Sequence, residues 1–229
     1  MTGREACATP STFRSGLPME LPVDIHAIYD RLFRPFRDSR IRLFYRTFDI
    51  HAGTTVLDVG GSSYFWERAA AMGLPVPRVT ILNLAAPPAP RRLWWVIGDA
   101  LALPFRDGQF DVVFSNSLIE HALDQRRAAQ EIRRAGRSYF VQTPDFRFPL
   151  EPHFLAPFIH WLPRRFRLAL APLTPWALIT RPDRFSLRSF VDEIRLLSAR
   201  DFKALFPEGL MRRERFAGMS KSLVAILPL

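Results

Sequence analysis

Residues 54–66 read TTVLDVGGSSYFW, and this stretch decides the fold class. It is an apolar run that ends in Asp58, followed by Gly60 and Gly61 and then by a helical pattern. A second stretch, VIGDALALPF at residues 96–105, ends a short apolar run in a Gly-Asp pair. A strand, a glycine turn, a helix and a strand with a terminal acid are the pattern with which a doubly wound α/β sheet holds a nucleotide-like cofactor.

The composition indicates a globular chain without an internal disulfide framework. The chain has 229 residues, 48% of them hydrophobic and 24% charged. Cys7 is the only cysteine, which also excludes a multi-cysteine zinc site. No stretch of membrane-spanning length is free of charge, and the N-terminus lacks the apolar core of a signal peptide. We therefore expect a cytoplasmic protein with no transmembrane segment, and its surface leaves peripheral membrane contact open.

The net charge of +10 is concentrated in the last third of the chain. Residues 144–229 carry 14 basic and 8 acidic side chains. This imbalance allows an anionic partner such as a phosphate, a glycan acid, a nucleic acid or a lipid headgroup. It is equally compatible with an arginine-rich surface that is only solvated.

Alternating strand and helix patterns predict a Rossmann-like, doubly wound α/β fold with a mostly parallel sheet. The tail adds a C-terminal antiparallel strand pair. The predicted strands are residues 56–59, 79–84, 94–97, 110–115 and 139–143, with closing strands at 211–216 and 222–227. The predicted helices of the core are residues 65–72 and 118–135.

The same patterns divide the chain into a leader and one domain. Residues 1–21 are predicted to be a flexible leader and 22–229 a single domain. Within it, 22–53 form a helical cap, 54–143 the cofactor-binding core, 144–185 a Pro- and aromatic-rich insert, and 186–229 the closing elements. In the cap, Pro35 is expected to interrupt the helix, Arg40 to face mostly outward and Gly53 to end the second helical stretch.

Three motifs in order carry a family resemblance. They are DVGGSSY at 58–64, GDALALPFRD at 98–107 with FDVV at 110–113, and SNSLIEH at 115–121. Together they resemble the class I S-adenosylmethionine-dependent methyltransferases, in particular the type 11-like subgroup. The resemblance implies S-adenosylmethionine as the cofactor and methyl transfer as the activity.

The resemblance also implies roles for individual residues. Asp58 would accept hydrogen bonds from turn amides or, through water, from the donor's ammonium, and Asp99 would accept from the adenine amino group. Asn83 stands where the family usually has the acid that holds the ribose, so the acceptor there lacks a charge. The predicted cofactor-binding residues are Asp58, Gly60, Gly61, Asn83, Asp99, Ala100, Leu101 and Asn116.

On the acceptor side, the candidate catalytic residues are His121, Glu151 and His153. Glu151 and His153 follow the fifth strand in a stretch restricted by prolines, and together they could serve as base and orienter for a hydroxyl nucleophile. Each of the three could instead be a structural polar group. No acidic cluster with histidine at ligand spacing is visible in the sequence, so no metal is predicted.

The segment 153–181 combines dense apolar residues with arginines. It could be a lid, a peripheral membrane contact or a separately packed insert. The predicted function is methyl transfer to an oxygen or nitrogen nucleophile of a small metabolite, a glycan or a lipid-linked intermediate. The alternatives are an RNA methyltransferase, which the absence of an appended RNA-binding module disfavours, and a non-catalytic cofactor-binding or scaffold protein.

Overall fold

The structure is a computed structural model that describes residues 25–85 and 93–228, with side chains from residue 34 onward. The predicted leader, residues 1–21, lies outside the described residues. The helices are α1 (Ile25–Phe48), α2 (Ser63–Ala71), α3 (Gln125–Ala135), α4 (Arg164–Leu170), α5 (Pro175–Thr180), α6 (Arg184–Glu193) and α7 (Ala199–Leu205). The strands are β1 (Thr55–Val59), β2 (Arg78–Asn83), β3 (Trp94–Ile97), β4 (Phe110–Asn116), β5 (Gly136–Pro144), β6 (Leu150–Glu151), β7 (Ala156–Pro157), β8 (Leu210–Phe216) and β9 (Met219–Leu227).

Seven of the strands form one sheet in the order β3-β2-β1-β4-β5-β9-β8. The pairs from β3 to β5 are parallel, whereas β9 is antiparallel to both β5 and β8. The predicted fold class is confirmed, including the antiparallel pair at the end of the chain. The strand order changes direction between β1 and β4, which is where an open α/β sheet binds its ligands.

Both faces of the sheet are covered by helices, as a largely parallel sheet requires. On one face, buried residues of α3 and α7 pack against the strands. On the other face, α1 and α2 pack through Ile41, Phe44 and Trp66. The ring of Phe44 lies 5.1 Å from that of Phe114 on β4 and 5.6 Å from that of Phe140 on β5. These contacts fix α1 above the middle of the sheet.

The first helix is continuous, so the predicted interruption at Pro35 is wrong. A proline inside a helix costs roughly 3 kcal/mol or more. Burial of Ile41, Phe44 and Phe48 is worth roughly 1.5–3 kcal/mol for each side chain and outweighs that cost. The helix ends at Phe48, before the left-handed Asp49, and not at Gly53.

The third helix is shorter than predicted, because it begins at Gln125 and not near Leu118. The side chain of Asp124 accepts a hydrogen bond from the backbone N–H of Arg127, which is a strong N-cap. Residues 118–123 therefore form turns at the end of β4, and this is what places Glu120 and His121 at the edge of the sheet.

The segment between β5 and α7 contains the hairpin β6–β7, the helices α4, α5 and α6, and two 3₁₀ turns. It has a small core of its own, in which Phe154, Ile159, Val191 and Ile194 are buried. Within the ranges that the structure describes, no helix is both long and apolar enough to cross a bilayer.

Candidate functional site

A cleft of about 510 Å³ opens at the carboxyl ends of β1, β2 and β4, with α1 across it. It lies at the point where the strand order reverses. Its walls include Arg37, Gly60, Ser62, Phe65, Asn83 and Asn116. The volume and the position suit a nucleoside-sized ligand.

Asp58 lies at the floor of this cleft and is only 1% exposed. Its Oδ2 accepts a hydrogen bond of 2.9 Å from the indole N–H of Trp66. Its Oδ1 has no hydrogen-bond partner among the described residues. Burial raises the pKa of Asp58 to about 7, and the hydrogen bond from Trp66 offsets only part of that rise. A buried carboxylate oxygen without a partner is a site for a cationic donor group such as an ammonium.

The two glycines after β1 are required by the geometry around Asp58. Gly60 has φ of +76°, and its N–H donates to the carbonyl of Leu82 at 2.8 Å. A Cβ on Gly61 would lie 2.1 Å from the carboxyl group of Asp58. The chain passes so close to the carboxylate that only glycine fits there.

Asn83 ends β2 and holds the glycine turn in place. Its Nδ2 donates to the carbonyl of Gly61 at 3.2 Å, and its Oδ1 accepts from the N–H of Leu84 at 2.8 Å. An aspartate at this position would have no N–H to give to the carbonyl of Gly61. The amide therefore has a structural use in this chain that the sequence pattern did not indicate.

The predicted adenine residues are at the next turn, after β3. Asp99 is exposed, and its carboxylate accepts from the N–H of Leu101 at 2.9 Å. Ala100 and Leu101 are partly buried against the core. The three are not among the residues that line the cleft, but the N–H of Gly98 donates to the carbonyl of Asn83 at 3.0 Å. The turn thus continues from the Asn83 end of the cleft.

Arg40 links the two ends of the described chain above the cleft. It is buried, which corrects the outward orientation expected from the sequence. Its Nε and Nη2 bind Glu214 on β8 at 2.8 and 2.5 Å, and its Nη1 donates to Oδ1 of Asn116. Asn116 is therefore held by an arginine that the sequence pattern did not select. No local signal identifies the pair, because Glu214 lies 174 residues further along the chain.

Positive charge is concentrated near this bridge. The guanidinium of Arg37 lies 5.0 Å from the ring centre of Tyr64, and Nζ of Lys221 lies 4.4 Å from that of Phe36. Burial lowers the pKa of Lys221 to about 8, and the charge of Arg40 adds to this effect. The side of the cleft formed by α1 is therefore basic.

The structure brings His121, Glu151 and His153 together beyond the ends of β4 and β5. Nδ1 of His153 is 2.6 Å from a carboxylate oxygen of Glu151, whose other oxygen accepts from the backbone N–H of Phe154. The Nε2 atoms of His153 and His121 lie 3.1 Å apart. Burial alone would lower the pKa of His153, but the hydrogen bond and charge of Glu151 raise it above its ordinary value.

Two further carboxylates complete this group. Oε1 of Glu193 is 3.2 Å from Nδ1 of His121. Glu120 is fully buried, its Oε2 accepts from the hydroxyl of Thr143, and its Oε1 has no partner among the described residues. The sequence pattern missed Glu120, although its position beside His121 was a signal.

The ligand atoms of Glu120, His121 and His153 all lie within 4.8 Å of one another. The structure therefore contains a set of potential metal ligands that the sequence prediction of no metal did not foresee. These three residues are not among those that line the cleft. They lie at the same edge of the sheet, since Glu120 contacts Thr143 of β5 and β5 pairs with β4.

Comparisons with known proteins agree with this architecture. Residues 57–138 match a family model described as a methyltransferase domain. Over 195 residues the chain is 27% identical to the ubiquinone/menaquinone biosynthesis C-methyltransferase UbiE of Paracoccus denitrificans, covering 76% of the chain and 72% of that protein. Over 95 residues it is 33% identical to the biotin biosynthesis bifunctional protein BioHC of Cellvibrio japonicus, covering 38% of the chain but only 19% of that protein.

Solved structures show the same fold. A Rhodobacter sphaeroides protein described as a Zn-dependent alcohol dehydrogenase aligns with a TM-score of 0.58 at 18% identity, over 82% of this chain and 88% of the other. Phosphoethanolamine N-methyltransferase 2 of Haemonchus contortus, in complex with S-adenosyl-L-methionine, aligns with a TM-score of 0.50 at 16% identity, over 77% and 38%. Together with the family match, the fold and the cleft support a class I S-adenosylmethionine-dependent methyltransferase that uses S-adenosylmethionine as its cofactor.

Proposed function

We propose that this enzyme transfers the methyl group to an oxygen or nitrogen nucleophile of a small metabolite, a glycan or a lipid-linked intermediate. The observation that carries the proposal is the hydrogen-bonded series Glu151–His153–His121 at the carboxyl edge of the sheet. An oxygen or nitrogen acceptor has a proton to lose, and an imidazole oriented by a carboxylate is suited to accept it.

The cleft fits the cofactor at several points. The unpartnered Oδ1 of Asp58 is placed to accept from the donor's ammonium, and the two glycines leave room for backbone approach. We assign the ribose to Asn83 and the adenine to the turn of Asp99, Ala100 and Leu101. When bound, S-adenosylmethionine supplies a methyl group activated on a sulfonium sulfur.

The residues of the chain position the acceptor and move its proton. Glu151 holds the Nδ1–H of His153, which leaves Nε2 of that ring to face the acceptor and His121. Removal of the proton makes the oxygen or nitrogen a better nucleophile for in-line displacement at the methyl group. Asn116, held by Arg40, lines the cleft at the end of β4, the strand that His121 follows.

Within the acceptor classes, the insert favours a lipid-linked molecule. Apolar side chains remain exposed on its surface, including Phe158 (52%), Leu173 (69%) and Leu178 (60%). Arg165 stacks over the ring of Phe166 at 4.8 Å and adds positive charge beside them. Aromatic residues combined with arginines suit the surface of an anionic membrane. Co-sedimentation with phosphatidylglycerol vesicles but not with phosphatidylcholine vesicles is the expected result.

A methylation screen with isotope-labelled S-adenosylmethionine against fractionated cell extract tests the acceptor class. We expect label in a small-molecule or lipid fraction, on oxygen or nitrogen. Label in RNA would instead support the RNA methyltransferase alternative, and label on carbon would match the activity named for the Paracoccus relative. Donor binding without transfer to any fraction would support the scaffold alternative.

Variants then test the assigned residues. Glu151→Gln and His153→Ala should lower turnover by about 10²- to 10⁴-fold, the usual contribution of general acid–base catalysis. Their affinity for S-adenosylhomocysteine should stay unchanged, because neither residue lines the cleft. His160→Ala is a matched control, since His160 also lies in the insert but bonds to the carbonyl of Phe146. Equal turnover in all three variants would refute the catalytic assignment.

A further inference from the structure

The two histidines face each other through their Nε2 atoms, with a carboxylate behind each ring. Nδ1 of His153 lies against Glu151 and Nδ1 of His121 lies against Glu193, at 2.6 and 3.2 Å. A carboxylate at Nδ1 keeps the proton on that atom and leaves a lone pair on Nε2. The two Nε2 atoms are 3.1 Å apart, so either a proton or a metal ion must lie between their lone pairs.

Glu120 adds a third electron-rich atom to the same place. Its side chain is 0% exposed, and its unpartnered Oε1 lies 3.9 Å from Nε2 of His153. A buried carboxylate oxygen without a hydrogen-bond donor is costly unless a cation or a donor satisfies it. One carboxylate oxygen and two imidazole nitrogens thus converge on one point, and two further carboxylates lie behind the rings.

We infer that Glu120, His121 and His153 bind a divalent metal ion of the zinc class. Zinc takes imidazole nitrogen and carboxylate oxygen at about 2.0–2.2 Å in tetrahedral geometry, which places neighbouring ligand atoms roughly 3.3 Å apart. The separation of 3.1 Å between the Nε2 atoms fits this value. Oε1 of Glu120 lies 3.9 Å from Nε2 of His153, somewhat beyond this value.

The surroundings of the three ligands are those of a metal site. In proteins, a ligating histidine usually donates its other N–H to a carboxylate, which fixes the tautomer and the ring orientation. Glu151 and Glu193 stand in that position for His153 and His121. The side chains of the two histidines remain 17% and 24% exposed, so an ion can enter and a fourth position stays open.

The site would join the insert to the core, because Glu120 and His121 follow β4 whereas His153 belongs to the insert. With the ion bound, Nε2 of His153 would be a ligand, and the proton-accepting role would pass from the imidazole to the ion. The inference rests on the proposed function only for this reaction. A metal-bound hydroxide at the open position would take the acceptor's proton and become metal-bound water. Metal binding itself can be measured without any acceptor.

The test uses the full chain, stripped with a chelator and dialysed. Titration calorimetry with Zn²⁺ should give one equivalent of saturable binding, and Co²⁺ should give the visible absorption of a tetrahedral ion. His121→Ala and His153→Ala should abolish both signals. Glu151→Gln removes only the outer acceptor of His153 and should weaken Zn²⁺ binding by about 10- to 100-fold. His160→Ala should bind like the wild type.

The isosteric variant Glu120→Gln keeps the test valid if the alanine variants do not fold. It should weaken Zn²⁺ binding by at least tenfold while retaining the circular dichroism of the wild type. No saturable Zn²⁺ binding by the wild type, or equal binding by Glu120→Gln, would overturn the inference and leave a proton shared between the two rings. Zinc binding without methyl transfer would refute the proposed function and leave the metal site standing.

Discussion

Replacing Asp58 by asparagine should stabilise the protein at neutral and alkaline pH. The wild-type carboxylate is buried, has a pKa of about 7 in the fold and a reference value of 3.8. Between these values the folded chain keeps a proton that the unfolded chain releases, so the free energy of unfolding falls as the pH rises. Above about pH 7 Asp58 is ionised in both the folded and the unfolded chain, so its contribution to the free energy of unfolding no longer changes with pH.

The size of the effect follows from the same two pKa values. A difference of one between the folded and unfolded pKa values is worth about 1.36 kcal/mol. The two values for Asp58 therefore correspond to a total of roughly 4 kcal/mol. From pH 5 to pH 8 the titration of Asp58 should cost the wild type about 2.5 kcal/mol. Asp58→Asn has no such titration and can still accept from Trp66, so its stability relative to the wild type should rise by that amount.

Urea unfolding followed by circular dichroism at pH 5 and pH 8, without cofactor, measures the difference. Asp111→Asn is a matched control, because hydrogen bonds from the backbone and then the side chain of Thr55 lower the pKa of Asp111 from its ordinary value, whereas burial raises that of Asp58. Its stability relative to the wild type should not change between pH 5 and pH 8. If Asp58→Asn behaves like this control, the carboxylate is ionised throughout and the reasoning is wrong.

Three further results are expected. Wild-type affinity for S-adenosylhomocysteine, measured by calorimetry, should rise several-fold from pH 6 to pH 7.5, because only ionised Asp58 can pair with the ammonium; a flat profile would contradict this. Asn83→Asp should lower the free energy of urea unfolding by about 1–3 kcal/mol, because the carbonyl of Gly61 loses its donor; unchanged stability would assign the amide to the ligand alone. Arg40→Ala should cost about 3–5 kcal/mol in the same assay, because Glu214 is left buried without its partner, whereas a loss below 1 kcal/mol would show that the bridge is solvated.

The sheet was predictable because its signals are local. Each core strand is a short apolar run that ends in a turn residue, and the strand 94–97 was predicted with the bounds that the structure has. The closing pair was predicted from its position and from the turn at Ala217 and Gly218. The bounds of the helices were harder to predict than the strands. Long-range packing decides whether Pro35 ends α1, and a single N-cap at Asp124 decides where α3 begins.

The site was predictable only where one motif contains the interaction. Nothing in the sequence near Asp58 shows that Trp66 would be its hydrogen-bond donor, because that depends on the rotation of α2. The contact of His121 with His153 requires the insert to fold back by 32 residues. Glu120 was not predicted as a site residue, because what marks it is the burial of its carboxylate. Burial cannot be read from a single sequence.

The bridge from Arg40 to Glu214 determines when the cleft can be completed during folding. One partner lies on α1 and the other on β8, so the 174 residues that separate them must leave the ribosome before the two can meet. The glycine turn after β1 and the floor of the cleft can form earlier, but the link from Asn116 through Arg40 to Glu214 is completed only when β8 joins the sheet. The cofactor should therefore bind a chain that includes β8, and truncations that remove β8 and β9 should lose cofactor binding before they lose the parallel half of the sheet.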